Sequence, residues 1–167
     1  FNTVWYQSDR CIQRQEYHIG FAVDTPEGLV VPVCKDVDRK SIGEVAKEIA
    51  RLSHLAREGS LSVSDLQSGC ATISSLGGIG GGFFSPIVNS PEAFIIGLSR
   101  AVEQPVYQGT ELNKRLMMPF SLSYDHRLID GAQGAQFVVD LANLLAQMPQ
   151  HLSSDVISYT GEGEENG

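Results

Sequence analysis

Apolar residues occur in short runs whose period changes along the chain, and the punctuation between runs is mostly Gly, Pro and acidic residues. Tyr17-His18-Ile19-Gly20-Phe21-Ala22-Val23 and Leu29-Val30-Val31-Pro32-Val33 flank Asp24-Thr25-Pro26-Glu27-Gly28. There Pro fixes φ and Gly accepts a positive φ, so residues 17–33 predict a hairpin. Pro32 has no amide for a ladder and points to an edge strand or a bulge, and His18 on such a strand face reads as structural. The period then lengthens. Ser41-Ile42-Gly43-Glu44 is a capping box, and Ile42, Val45, Ile49, Leu52 and Ala56 recur every three or four residues. Arg57 and Gly59 suit a helix end, so Ser41 to Glu58 predicts an amphipathic helix with Lys47, Glu48, Arg51 and His54 on its solvated face. Ser62 to Leu66 reads as one short helical turn.

The second half alternates in the same way. Cys70 to Ser75 predicts a strand that enters Leu76-Gly77-Gly78-Ile79-Gly80-Gly81-Gly82-Phe83-Phe84. The glycines there lack the G-x-G-x-x-G spacing, and no Lys-Ser or Lys-Thr follows, so a tight, closely packed turn is expected rather than a phosphate cradle. Ala93 to Ser99 is apolar enough for a strand covered on both faces. Val106-Tyr107 and Leu116 to Ser123 flank Gln108-Gly109-Thr110 as a further hairpin. Ala135, Val138, Val139, Ala142 and Leu145 mark a second helix from about Asp130 to Met148. Beyond Pro149 the chain turns polar and acidic, so residues 150–167 are expected to form a flexible tail on a domain spanning 1–149.

Composition adds exclusions. The chain has 167 residues, 42% hydrophobic and 19% charged, which fits one globular domain. No apolar run approaches the ~20 residues of a membrane helix. A net charge of −8 with only 12 Lys and Arg opposes nucleic-acid and membrane-surface binding, while leaving room for an anionic cofactor at a local positive patch. Cys11, Cys34 and Cys70 share no metal spacing and make an odd count, so buried thiols in a reducing compartment are expected. Phe1 to Trp5 has none of the marks of a signal peptide, so any targeting segment is expected outside these residues.

The candidate chemistry lies in Met117 to Gly131. Leu122 and Tyr124 alternate with Ser121 and Ser123, and this strand runs into Asp125-His126-Arg127-Leu128-Ile129-Asp130-Gly131. An imidazole ordinarily titrates near 6.5, and a strand end holds it more firmly than a loop tip, so His126 is a candidate general base. The residues leave two other chemistries open. Ser75, Ser121 or Ser123 with His126 and Asp130 would form a hydrolase triad, although no G-x-S-x-G elbow is present. His126 and Asp130 would form a metal pair, although no third ligand stands out.

Asp-His-Arg-Leu-Ile-Asp-Gly, preceded by an apolar strand and followed by a helix, closely resembles the signature of the dihydrolipoamide acyltransferases of the 2-oxo acid dehydrogenase complexes. The resemblance extends through Tyr17-His18-Ile19-Gly20, Val23-Asp24-Thr25-Pro26, Gly28 to Val33, Ile73 to Gly78 and Pro86-Ile87-Val88-Asn89 in family order, and so covers Phe1 to about Met148. It implies an α/β fold like that of chloramphenicol acetyltransferase, an α+β sandwich with a mixed β-sheet flanked by helices. It also implies a homotrimer with active sites between subunits, assembling into a larger cage. The family's first helix and strand, its lipoyl domain and its binding domain have no counterpart in these residues.

The same resemblance implies catalytic roles for His126, for Ser74 on the strand before the Gly-rich turn, and for Asp130 as an orienting residue. The implied reaction moves an acyl group between dihydrolipoamide, carried on a separate lipoyl domain, and coenzyme A. Leu76-Gly77-Gly78 and Gly97-Leu98-Ser99-Arg100-Ala101 look like the acetyl branch. Implied partners are lipoyl domains, the decarboxylase and dihydrolipoamide dehydrogenase, in a bacterial cytoplasm or a mitochondrial matrix. A catalytically silent core subunit and a free-standing acetyltransferase are the alternatives.

Overall fold

The computed structural model describes residues 1–6 and 10–151. Its frame is a mixed five-stranded sheet built from β3 (Ile19–Phe21), β6 (Val33–Cys34), β7 (Ala71–Ser75), β8 (Phe94–Leu98) and β11 (Phe120–Tyr124), in the order β11-β8-β7-β3-β6. β3, β7 and β8 run parallel, and β11 and β6 close the edges antiparallel. Three ribbons complete the strands: β1 (Thr3–Tyr6) with β2 (Arg10–Gln13), β4 (Val23–Thr25) with β5 (Gly28–Val30), and β9 (Val102–Gln108) with β10 (Glu111–Met117).

The helices are α1 (Ile42–Arg57) and α2 (Gly131–His151). Ser41 and Glu44 form the expected reciprocal capping box, and Gly59 follows with φ +67°. α1 carries the chain from β6, at the sheet edge, past β3 to β7. It packs on β4 and β6 through buried Leu52 and Ala56, whereas Ile42 and Ile49 of the predicted stripe are exposed. α2 lies on the same side of the sheet. Phe137 meets Phe94 edge-on at 5.3 Å and stacks on Phe1 at 4.3 Å, over Ala71 and Ile129.

Strand parity sorts the sheet into two unlike faces. The register aligns Ala71, Phe94 and Tyr124 toward α2, and therefore Thr72, Ser74, Gly97, Ser121 and Ser123 toward the other face. Among the described residues no helix covers that second face. The sheet is a two-layer sandwich with helices on one side only.

Several expectations need correction. The hairpin after Val102 returns along Glu111–Met117, and the chain leaves the ribbon at Met118-Pro119 to enter the main sheet as β11. Pro119 supplies no amide, so the ladder breaks where the sequence reading had continued it. The hairpin at 17–33 is two paired pieces interrupted at Ala22 and Val31-Pro32, with β6 at the sheet edge as Pro32 suggested. Cys34 and Cys70 are buried, but Cys11 is exposed on β2. α2 continues through Pro149 to His151, and the polar tail from residue 152 lies outside the described residues.

The Gly-rich segment turns as expected, with Ile79 and Gly80 amides donating to the Leu76 carbonyl. It is not closely packed: a side chain at Gly78, Gly80, Gly81 or Gly82 would meet nothing within 4 Å. Positive φ at Gly80 (104°) and Gly81 (107°) is what that turn requires. Close approach occurs instead inside regular structure. A Cβ at Gly97 would lie 2.8 Å from the Phe84 ring and from Ser121 Oγ, and one at Gly134 would lie 2.8 Å from the Tyr124 ring.

Beneath the second face lies Glu92, only 4% exposed. It accepts hydrogen bonds from Thr72 Oγ1 at 2.6 Å and Asn89 Nδ2 at 3.3 Å. Burial pushes its carboxyl above the ordinary 4.5, and the two hydrogen bonds offset that only in part. A carboxyl with a raised native pKa binds more protons folded than unfolded. Its charge therefore costs stability progressively from about pH 4.5 up through the raised value and fully above it. Glu92→Gln keeps an acceptor for Asn89 and a partner for Thr72 while removing that charge. The difference in urea midpoint between variant and parent is expected to grow in the variant's favour as pH rises above 4.5. A difference that is constant with pH contradicts this.

Candidate active site

His126 sits two positions beyond Tyr124, where the β11 ladder ends, in a turn built by its neighbour. The Asp125 amide donates to the Ala93 carbonyl, and the Asp125 carbonyl accepts from Leu128 and Ile129. The Asp125 carboxylate accepts from the Arg127 amide at 3.0 Å and is gripped by the Arg127 guanidinium, Nε at 2.9 and 3.1 Å and Nη2 at 2.5 Å. Those hydrogen bonds hold the Asp125 carboxyl below the usual carboxylate range, so it stays ionised and the clamp stays closed at neutral pH. His126 is thereby presented outward, exposed, with its ring 5.8 Å from that of Tyr124. Tyr124 is itself seated in the notch left by Gly134 on α2.

Ser74 is on β7, half-buried, flanked in register by Gly97 and then Ser121. It belongs to the helix-free face. Among the described residues neither the Ser74 hydroxyl nor the His126 imidazole has a hydrogen-bond partner in another residue. The two do not meet within the chain. His126 is five residues of strand rise from Ser121, and two strand spacings separate β11 from β7, so their backbones are on the order of 20 Å apart.

Asp130 caps a helix. Its Oδ1 accepts from the Gln133 amide at 2.8 Å, while Gln133 Oε1 accepts from the Asp130 amide at 3.0 Å. This reciprocal cap starts α2 and supports the turn that carries His126. No hydrogen bond joins Asp130, Ser75, Ser121 or Ser123 to His126 among the described residues, so no hydrolase triad forms within the chain. Among the described residues no group of three His, Cys, Asp or Glu could hold a metal ion. The sequence reading missed Phe84 and the Asp125–Arg127 clamp. Gly97, isolated inside an apolar strand, was the available signal for the first, since such a glycine marks a close approach.

The chain thus presents a one-sided sandwich with an outward histidine at one sheet end and a hydroxyl on its open face. The family model described as 2-oxoacid dehydrogenases acyltransferase (catalytic domain) matches residues 1–153, and the chain belongs to that family. It is 53% identical over 149 residues to the dihydrolipoyllysine-residue acetyltransferase component of the pyruvate dehydrogenase complex of Pseudomonas aeruginosa, covering 89% of this chain and 27% of that protein. Against the component of the same name from Haemophilus influenzae it is 50% identical over 147 residues, covering 88% and 26%. The chain thus spans about a quarter of the length of these curated relatives.

Among solved structures, the dihydrolipoamide acetyltransferase of Azotobacter vinelandii superposes with a TM-score of 0.86 at 51% identity, covering 89% of this chain and 61% of that one. A probable dihydrolipoamide acetyltransferase from Listeria monocytogenes gives 0.77 at 35% identity, covering 82% and 58%. These likenesses establish the mixed sheet with helices on one side as the family's sandwich.

Removing the Asp130 cap is expected to cost about 1 kcal/mol in Asp130→Ala, whereas Asp130→Asn, an equally good cap, should stay within a few tenths. Thermal or urea unfolding of both variants checks this, and equal losses would show that the cap contributes nothing.

Proposed function

We propose that this chain is the catalytic core of a dihydrolipoamide acyltransferase, moving an acetyl group between dihydrolipoamide and coenzyme A. The observation that carries the reading is the division of the site: Ser74 on the open face and His126 at the far end of the same sheet serve one reaction only if they come from different copies. Supporting it, the serine, histidine and asparagine whose roles were investigated in the Azotobacter enzyme follow one another at the same separations as Ser74, His126 and Asp130 do here. Asp130 replaces the asparagine, and both residue types cap a helix equally well.

In this reading His126 takes the proton from the attacking thiol as sulfur bonds to the thioester carbonyl. Thiols and imidazoles ordinarily titrate about two units apart, so complete proton transfer beforehand would cost roughly 3 kcal/mol. Transfer during attack avoids an early free thiolate. The carbonyl oxygen gains negative charge, Ser74 donates a hydrogen bond to it, and the leaving sulfur recovers the proton from His126. One such donor contributes on the order of 3 kcal/mol to the transition state. Asp130 acts through the turn and the helix it caps.

The assembly we propose is a homotrimer that builds a larger cage, supported by the cubic core of the pyruvate dehydrogenase multienzyme complex, matched at TM-score 0.86 and 50% identity. Lipoyl domains, the decarboxylase and dihydrolipoamide dehydrogenase are its partners, in a bacterial cytoplasm or a mitochondrial matrix.

The test is complementation. His126→Ala and Ser74→Ala proteins should each lose acyl exchange between acetyl-CoA and dihydrolipoamide, by about 100-fold or more for Ser74. Co-assembled in equal amounts, they should regain activity at about a quarter of the sites, because some interfaces pair an intact serine with an intact histidine. No recovery after verified co-assembly rules out the shared site.

A further inference from the structure

Gly97, the fourth of the five residues of β8, stands between Ser74 and Ser121 on the open face. With no side chain of its own, it leaves a socket that Phe84 fills. An ideal Cβ there would lie 2.8 Å from Phe84 Cζ, closer than real Cβ atoms come, and a tight 3.0 Å from Cε1. Phe84 is half-buried although Gly82, Phe83 and Ser85 around it are exposed. Its backbone is tied down as well, because Ser121 Oγ donates to the Phe84 carbonyl at 2.5 Å. At its other end the Gly-rich segment is fixed by the Leu76 amide donating to the Leu98 carbonyl. Residues 77–83 therefore arch between two anchors on β8 and β11, with Ile79 and Phe83 each 81% exposed.

We propose that Phe84, seated over Gly97 and tied to Ser121, is a positioning residue that holds the Ser74 hydroxyl ready for the developing oxyanion. This rests on the reading of Ser74 given above. Neighbouring strands are about 4.8 Å apart, so the ring in the Gly97 socket is the lateral neighbour of the Ser74 side chain. It acts in two ways. As an apolar wall it keeps water from the flank of the hydroxyl, where a drier surrounding strengthens a hydrogen bond to an anion. The same arrangement occupies Ser121, the other hydroxyl in the row, with the Phe84 carbonyl, so that it does not compete for Ser74's proton. The ring touches neither substrate nor the reacting atoms in this account, and acts only through Ser74.

The experiment is a set of variants in the assembled full-length protein, read as kcat and KM for acyl exchange. Gly97→Ala drives a methyl into the ring and against Ser121 Oγ and should lower kcat about tenfold or more with little change in KM or in the pH profile. Gly97→Ala with Phe84→Leu, which lacks the Cζ and Cε1 atoms the methyl meets and leaves only the Ser121 Oγ contact, should recover part of the loss. In a Ser74→Ala background, Gly97→Ala should cost nothing further. Ser121→Ala removes only a hydroxyl and should lower kcat in the same Ser74-dependent way, which keeps the test available if Gly97→Ala fails to assemble. The proposal is overturned if these variants keep the parent kcat, or if their losses are undiminished without the Ser74 hydroxyl. If Ser74→Ala itself retains full activity, the serine reading fails, and this proposal with it.

Discussion

The alternation of side chains along β7 is the constraint on which the rest depends. A strand cannot send adjacent residues to the same face. Because Ala71 is committed to the core beneath α2 and Thr72 to the buried carboxyl of Glu92, Ser74 must stand on the face the helices leave open. A one-residue slip would bury the serine under α2 and turn Ile73 outward, destroying core and site together. Parallel pairing on both sides of β7 resists such a slip, since β3 and β8 would both have to move with it.

Local devices then refine what parity sets coarsely. Two glycines inside regular elements act as sockets, Gly97 for Phe84 and Gly134 for Tyr124. Each exchanges a side chain for a close contact, and the rigidity of the surrounding strand or helix makes the contact reproducible. At the histidine turn the work is done by charge. Asp125 binds the amide and guanidinium of Arg127 two residues on, while its own amide is held by the Ala93 carbonyl.

Much of this was legible in the residues. The capping box at Ser41 and Glu44, the left-handed end at Gly59 and the placement of His126 at the end of a strand follow from local chemistry, which sequence records directly. What was not legible depends on distance in the chain. Phe84 and Gly97 are neighbours only because β8 pairs with β7 and β11. The five-glycine segment attracted attention as the place of close packing, yet its glycines serve backbone angles, and the crowding occurs at single glycines within strand and helix. The hairpin after Val102 was misjudged because apolar residues continue across Met117-Met118-Pro119 while the pairing partner changes from β9 to β8. The cap at Asp130 was not legible, because only the coordinates show its carboxylate accepting from the Gln133 amide.

The separation of Ser74 from His126 along one sheet has a consequence for the life history of the polypeptide. If the site is shared between copies as proposed, a newly made, solitary copy carries both groups but cannot bring them to bear on one thioester, and it stays chemically idle until neighbours arrive. On that reading competence would be conferred by quaternary closure, and a cell that produced this protein in excess of its finished shells would not drain its acyl thioesters through the surplus.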